Sequence, residues 1–123
     1  HTAIRTAECD VFGAEETLTL AEAAAGGNMK QVADAYNPIL IQIIRIGEWT
    51  FIGWPGEIFV EFALTVMGNH PNTFIITLAN GDLQGYVVTA EAVREGGYEA
   101  SNAVFASPES GDIIVDTTLK MLK

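Results

Sequence analysis

Gly53-Trp54-Pro55-Gly56-Glu57 joins two apolar segments, and its reading decides the fold. Upstream, Ile39 to Ile46 and Trp49 to Ile52 read as two strands turned at Gly47-Glu48. Ile39 to Ile46 is nearly continuous in β-branched and apolar residues, the pattern of a central strand covered on both faces. Gln42 and Arg45 are its polar exceptions, and Glu48 to Gly53 pairs back on it. Downstream, Ile58 to Met67 reads as a helix, with Phe59, Phe62, Ala63, Val66 and Met67 at helical spacing. Phe74 to Leu78 is then a third strand, and the strand, helix, strand order implies a parallel pairing with a right-handed crossover. The sequence thus predicts an α/β (mixed α-β) fold: a small mixed sheet with an antiparallel hairpin and one parallel crossover, flanked by helices. A chain that leaves a strand through Pro-Gly and sets a carboxylate in the first helical turn places Glu57 at a sheet end, where ligands bind in α/β folds. The alternative is local. Pro55 is a good first helical residue, and Glu57 complements the helix dipole.

Outward from this centre the punctuation is plain. Thr2 to Val11 alternates weakly and reads as a strand or an extended lead-in. Ala14 to Ala25 reads as a helix, with Ala14, Leu18, Ala21 and Ala25 on one face, stopped by Gly26-Gly27. Asn28 caps a second short helix, Met29 to Tyr36, which Asn37-Pro38 breaks. Gly68-Asn69 and Pro71 end the helix after Glu57, and Ala79 to Asp82 forms a loop on the Glu57 side of the sheet. Thr89 caps a helix from Ala90 to Glu95, ended by Gly96-Gly97. Pro108 to Gly111 reads as a loop, and Asp112 to Leu122 as a terminal helix with Val115, Thr118, Leu119 and Leu122 inward. No linker divides the chain, so residues 1–123 are expected to form a single domain.

Composition narrows the function classes. Six Lys+Arg against 16 Asp+Glu give a net charge of −10, which excludes nucleic acid as a natural partner and disfavours anionic membranes. No apolar run reaches the about 20 residues that span a bilayer, and a soluble protein with no signal peptide is expected, its compartment open. The single cysteine, Cys9, excludes an internal disulfide and a cysteine-rich zinc site. With 49% hydrophobic residues the chain is either well packed or a piece that normally packs against more protein. His1 at the start favours the second: a truncated, processed or cloned portion.

Four ordered motifs then resemble one family. They are Ile43 to Glu57 (IIRIGEWTFIGWPGE), Phe74 to Asn80 (FIITLAN), Gly85 to Thr89 (GYVVT) and Gly97 to Ser101 (GYEAS). Together they resemble the C-terminal part of the catalytic domain of the neutral/alkaline (non-lysosomal) ceramidases and their shorter bacterial relatives. The resemblance covers roughly the second half of the chain. It implies that Glu57, in the Pro-Gly-Glu turn, and Tyr86, in the Gly-Tyr-Val motif, are ligands of a catalytic zinc. Two histidines from earlier in the domain complete that set. Zinc in such a site activates water for attack on an amide carbonyl. The resemblance also implies that Tyr98 donates a hydrogen bond to the developing oxyanion.

The departure from the family lies in the nitrogen ligands. The histidines here are His1, at a terminus, and His70, in the turn after the central helix and at the opposite end of the sheet from Glu57. The chain is therefore expected to carry two oxygen ligands and to bind zinc weakly or not at all by itself. Other candidates are structural. Gly81-Asp82 and Gly111-Asp112 read as turns, Asp112 and Asp116 as a surface pair, and Arg45 as a residue seeking a carboxylate such as Glu48 or Glu61. Two functions follow. One is an incomplete portion of a zinc-dependent amidohydrolase, with the remainder of a larger catalytic domain as its partner. The other is a non-catalytic α/β binding or assembly module that self-associates, as a homodimer or strand-exchanged oligomer, to cover bare sheet edges.

Overall fold

The sheet grows outward from Trp49–Gly53, whose alternate residues face opposite ways. In the computed structural model this strand, β2, pairs antiparallel with β1 (Gln42–Ile46), so that Ile43 faces Ile52 and Ile44 faces Phe51. On its other side it pairs in parallel with β4 (Thr73–Ile76), matching Phe51 to Phe74 and Ile52 to Ile75. The parallel partner is reached through α2 (Val60–Asn69), as a parallel connection requires. A second sheet of two strands joins β3 (Glu57–Ile58) in parallel to β5 (Tyr86–Val87). Three helices follow: α3 (Ala90–Glu95), α4 (Tyr98–Ser101) and α5 (Pro108–Leu122). The fold is the mixed α/β architecture expected. Described residues are 2–28, 30, 31, 34, 39–81, 83, 85–103 and 106–123.

The chain divides into two compact units, His1–Asn37 and Pro38–Lys123, where the sequence reading drew no boundary. The first contains α1 (Thr2–Ala25), one helix through the segment expected to be extended. Ile4, Ala7 and Val11 are three and four residues apart, a helical interval that outweighs the weak alternation. Asn28 follows the helix; the expected second helix, Met29 to Tyr36, and the Asn37-Pro38 break fall largely or wholly outside the described residues.

In the second unit, Ile43, Ile52 and Ile75 line the sheet face that meets Phe62 and Val66 of α2 and Ile114, Val115 and Leu122 of α5. Trp54 is completely buried there, and its indole Nε1 donates to Thr118 Oγ1 at 3.0 Å. That hydroxyl donates in turn to the Ile114 carbonyl at 2.7 Å, so a polar pair sits in the core without an unmet group. Glycine at 111 is dictated by packing, since a Cβ there would lie 2.1 Å from Phe62 Cζ.

Four expectations are corrected. Ile39 to Ile46 is not a central strand: the order is β1-β2-β4, and Ile44 and Ile46 are exposed, as are Trp49, Phe74 and Ile76 on the same outward face. A continuous β-branched run fits a strand with two apolar faces, but it does not say that both are covered. The helix after Pro55 does not begin at Ile58; Glu57 and Ile58 form β3, and α2 starts at Val60. Backbone pairing wins there, because the Phe59 amide donates to the Val87 carbonyl at 3.0 Å and the Leu78 amide to the Gly56 carbonyl at 3.1 Å. Pro108 to Gly111 is no loop but the first turn of α5, with Pro108 at the first helical position after Ser107. Among the described residues Arg45 finds no carboxylate: its Nη2 donates to the Leu122 carbonyl at 3.1 Å, a cation at the C-terminal end of α5.

Candidate functional site

Gly56 sets the direction of the chain into the site. Its φ of 82° lies in the left-handed region, and a Cβ would press to 3.0 Å from Leu83. Only glycine makes this bend easily. The chain turns there out of the buried Trp54-Pro55 pair and into β3, which presents Glu57 at its first residue.

Across the strand pair, Glu57 stands in register with Tyr86. Residues so paired lie side by side, within reach of each other's polar tips. The phenol of Tyr86 is held above its ordinary value of 10.0, first by burial and then by the negative charge of Glu57. Tyr98, Glu99 and a hydrogen bond to the Glu57 carboxylate add in the same direction. At neutral pH the Tyr86 phenol therefore keeps its proton and is a hydroxyl donor.

Tyr98 opens α4, after Gly97, and its ring meets Tyr86 edge-on with centroids 5.9 Å apart and planes at 73°. This is a favoured aromatic geometry, which fixes the Tyr86 ring from one side. Tyr98 itself remains exposed. The three residues expected from sequence, Glu57, Tyr86 and Tyr98, are thus brought together from three separate elements.

Beside them lies an open cleft of about 480 Å³ lined by Glu57, Glu61, Glu99, Tyr86 and Thr77 on its polar side. Phe59, Val60 and Leu78 supply an apolar wall. Tyr98 is not part of this lining; it braces Tyr86, and the neighbouring Glu99 faces the cleft instead. Leu78 holds φ at 53°, a conformation a branched side chain rarely adopts. The bridge from its amide to Gly56 and that from the Ala79 amide to the Trp54 carbonyl, at 2.9 Å, hold the backbone in it.

Glu61, Glu99 and Leu78 were missed by sequence reasoning as site residues. Only Glu99 carried a signal, its place beside Tyr98 in the Gly-Tyr-Glu-Ala-Ser motif. Glu61 sits in the first turn of α2, and nothing in its neighbours marks it. The cleft is acidic and mixed in surface, suited to a cationic group flanked by apolar substance.

The donor set fits zinc in part. Glu57 and Tyr86 offer two neighbouring oxygens, but a catalytic zinc takes three protein ligands. His70 follows α2 and precedes β4, at the end of the three-stranded sheet away from Glu57, and His1 lies outside the described residues. Among the described residues no three His, Cys, Asp or Glu side chains converge closely enough to hold a metal ion. Among them too, no helix is long and apolar enough to cross a membrane. Comparison with protein-family models, with curated proteins and with solved structures returns no match to this chain.

Proposed function

We propose that this chain supplies part of a zinc-dependent amidohydrolase site resembling that of the neutral ceramidases, a site completed by residues the chain does not contain. The observation that carries the reading is the register of β3 on β5. It brings Glu57 and Tyr86, distant in sequence, to one rim of one cleft. Glu57 contributes a carboxylate oxygen, and Tyr86 a phenol oxygen whose proton must leave for it to bind a metal. Tyr98, outside the cleft lining, orients Tyr86 through its ring rather than facing a substrate carbonyl. Zinc in such a site supplies Lewis-acid activation of water for amide hydrolysis.

The test is metal binding by the whole chain, with imidazole standing in for the nitrogen ligands. Calorimetric titration with Zn²⁺ should show weak binding that imidazole strengthens. Glu57→Gln and Tyr86→Phe should each remove that gain. Because a phenol proton is displaced, binding should tighten as pH rises and release protons. Affinity indifferent to both substitutions would refute the reading.

A second reading, a self-associating α/β module without catalysis, is favoured by the outward sheet face. There Phe74 stacks on Phe51 with centroids 5.4 Å apart and lies 5.5 Å from Trp49, yet Trp49 and Phe74 are 44% and 45% exposed. Two such faces can stack as sheets do in sandwiches. Light scattering of wild type and Phe74→Asp separates the readings. A dimer lost in the variant while metal binding is absent supports the module.

A further inference from the structure

The helix α1 has a repeat of its own. Ile4, Val11 and Leu18 recur every seventh residue, and Ala7, Ala14 and Ala21 recur midway between them. This is the spacing of a two-stranded coiled-coil seam, sustained over three heptads. The seam is open: Ile4 is 66% exposed, and Val11 and Leu18 are each 58% exposed. Leu20 and Ala23, on the other side of the helix, are half-buried. Between the larger seam residues the alanines leave room. A groove of about 530 Å³ runs over Ala3, Ile4, Ala7, Glu8 and Val11.

The charges beside the seam say what fits it. Glu8, Glu15 and Glu22 each follow a seam alanine, all exposed, and make one acidic row along the seam, with Glu8 also lining the groove. In a coiled coil, residues at this flank face the partner helix and set its identity. A second copy of α1 would bring the same carboxylates to the same interface, and Arg5 is the one basic residue that α1 has to offer. With six Lys+Arg in all, the chain holds no basic helix to lay there.

We propose that α1 is a docking helix for a basic amphipathic helix of another protein, one with large apolar residues at heptad spacing and Lys or Arg facing Glu8, Glu15 and Glu22. The alanines accept the partner's larger side chains, so the two helices approach closely. The glutamates select the partner by charge and reject a second copy.

The probe is a synthetic helix of about four heptads with leucine at its seam and lysine at its flanks, beside a matched peptide with glutamate at the flanks. Binding to the whole chain is read by fluorescence anisotropy between about 0.05 M and 0.5 M salt. Wild type should bind the lysine peptide and not the glutamate peptide. Val11→Ala with Leu18→Ala should weaken binding at least about tenfold by removing apolar contact. Alanine keeps the helix and the net charge, and circular dichroism checks the former. Glu8→Gln, Glu15→Gln and Glu22→Gln together should weaken binding at low salt and flatten its salt dependence.

Three results overturn the proposal. The first is no binding, or equal binding of the two peptides. The second is undiminished affinity in the double alanine variant, which would mean diffuse charge attraction. The third is a wild-type dimer that the double variant dissociates, which would make the occupant a second copy.

Discussion

Gly111→Ala tests the contact that fixes α5 on α2. Glycine in a helix interior costs about 1 kcal/mol relative to alanine, so local propensity alone favours the substitution. The structure opposes it. The new Cβ would lie 2.1 Å from Phe62 Cζ, 2.4 Å from Cε1 and 2.5 Å from Cε2. Ordinary carbon contacts are about 3.5–4.0 Å, so ring or helix must retreat by more than about 1 Å. Phe62 is only 7% exposed and packs with Val66, Ile114 and Val115, so the ring cannot swing aside cheaply. Overpacking of this kind costs about 1–3 kcal/mol, and a clash with a whole ring edge belongs at the upper end. Net of the propensity gain, about 2 kcal/mol of stability should be lost, a fall in Tm of about 8–16 °C for a unit of this size. Urea unfolding followed by tryptophan fluorescence measures it. In a Phe62→Leu background the same substitution should turn neutral or stabilising, a coupling that a double-mutant cycle isolates. A Gly111→Ala variant more stable than wild type, or the same cost in both backgrounds, would refute the packing argument.

Two further predictions concern buried or coupled hydroxyls. Thr118→Val keeps the shape but strands the Trp54 indole donor in the core, which should cost about 1–3 kcal/mol, while Thr118→Ser should cost less; a neutral valine variant would show that the 3.0 Å bond contributes nothing. For Tyr86 the folded phenol titrates above 10.0, so its neutral form is the one folding favours. The stability it contributes is whole below the unfolded value and is lost as pH rises through the folded one. Glu57→Gln should lower the Tyr86 midpoint, read from phenolate absorbance by difference against Tyr86→Phe. Burial, the larger cause, should keep it above the ordinary value; a midpoint unmoved by Glu57→Gln would deny that the carboxylate acts on the phenol.

How far the sequence reaches depends on whether a feature is local. Thr89 is legible as a cap because its side chain needs only the backbone three residues on, and its hydroxyl accepts from the Ala92 amide at 3.1 Å. The hairpin at Gly47-Glu48 is legible for the same reason, as is the inward face of α5 through Val115, Thr118 and Leu122. Gly111 was misread because its reason lies on another helix. Read locally it signals a turn; against the Phe62 ring it is the one residue that fits inside a helix. The edge position of β1 was illegible too, because Ile44 and Ile46 carry the same apolar character whether a face is covered or bare.

The candidate site shows the division most clearly. Motif reasoning chose Glu57 and Tyr86 but put Glu57 on a helix, where its charge would answer the helix dipole. As the first residue of β3 it has a different electrostatic partner. Strand geometry turns the carboxylate toward the residue in register on β5, and the effect appears there, as a phenol pushed up in pKa by a neighbour. A helical Glu57 would have stabilised its own element and left Tyr86 alone. A strand Glu57 links two elements at the rim of a cleft, and two oxygen donors side by side are what a shared ligand requires. The misassigned element therefore bears on the proposed site more than the choice of residues does. It turns a local capping charge into half of a pair, and it makes Tyr86 titration the direct physical readout of whether that pair exists.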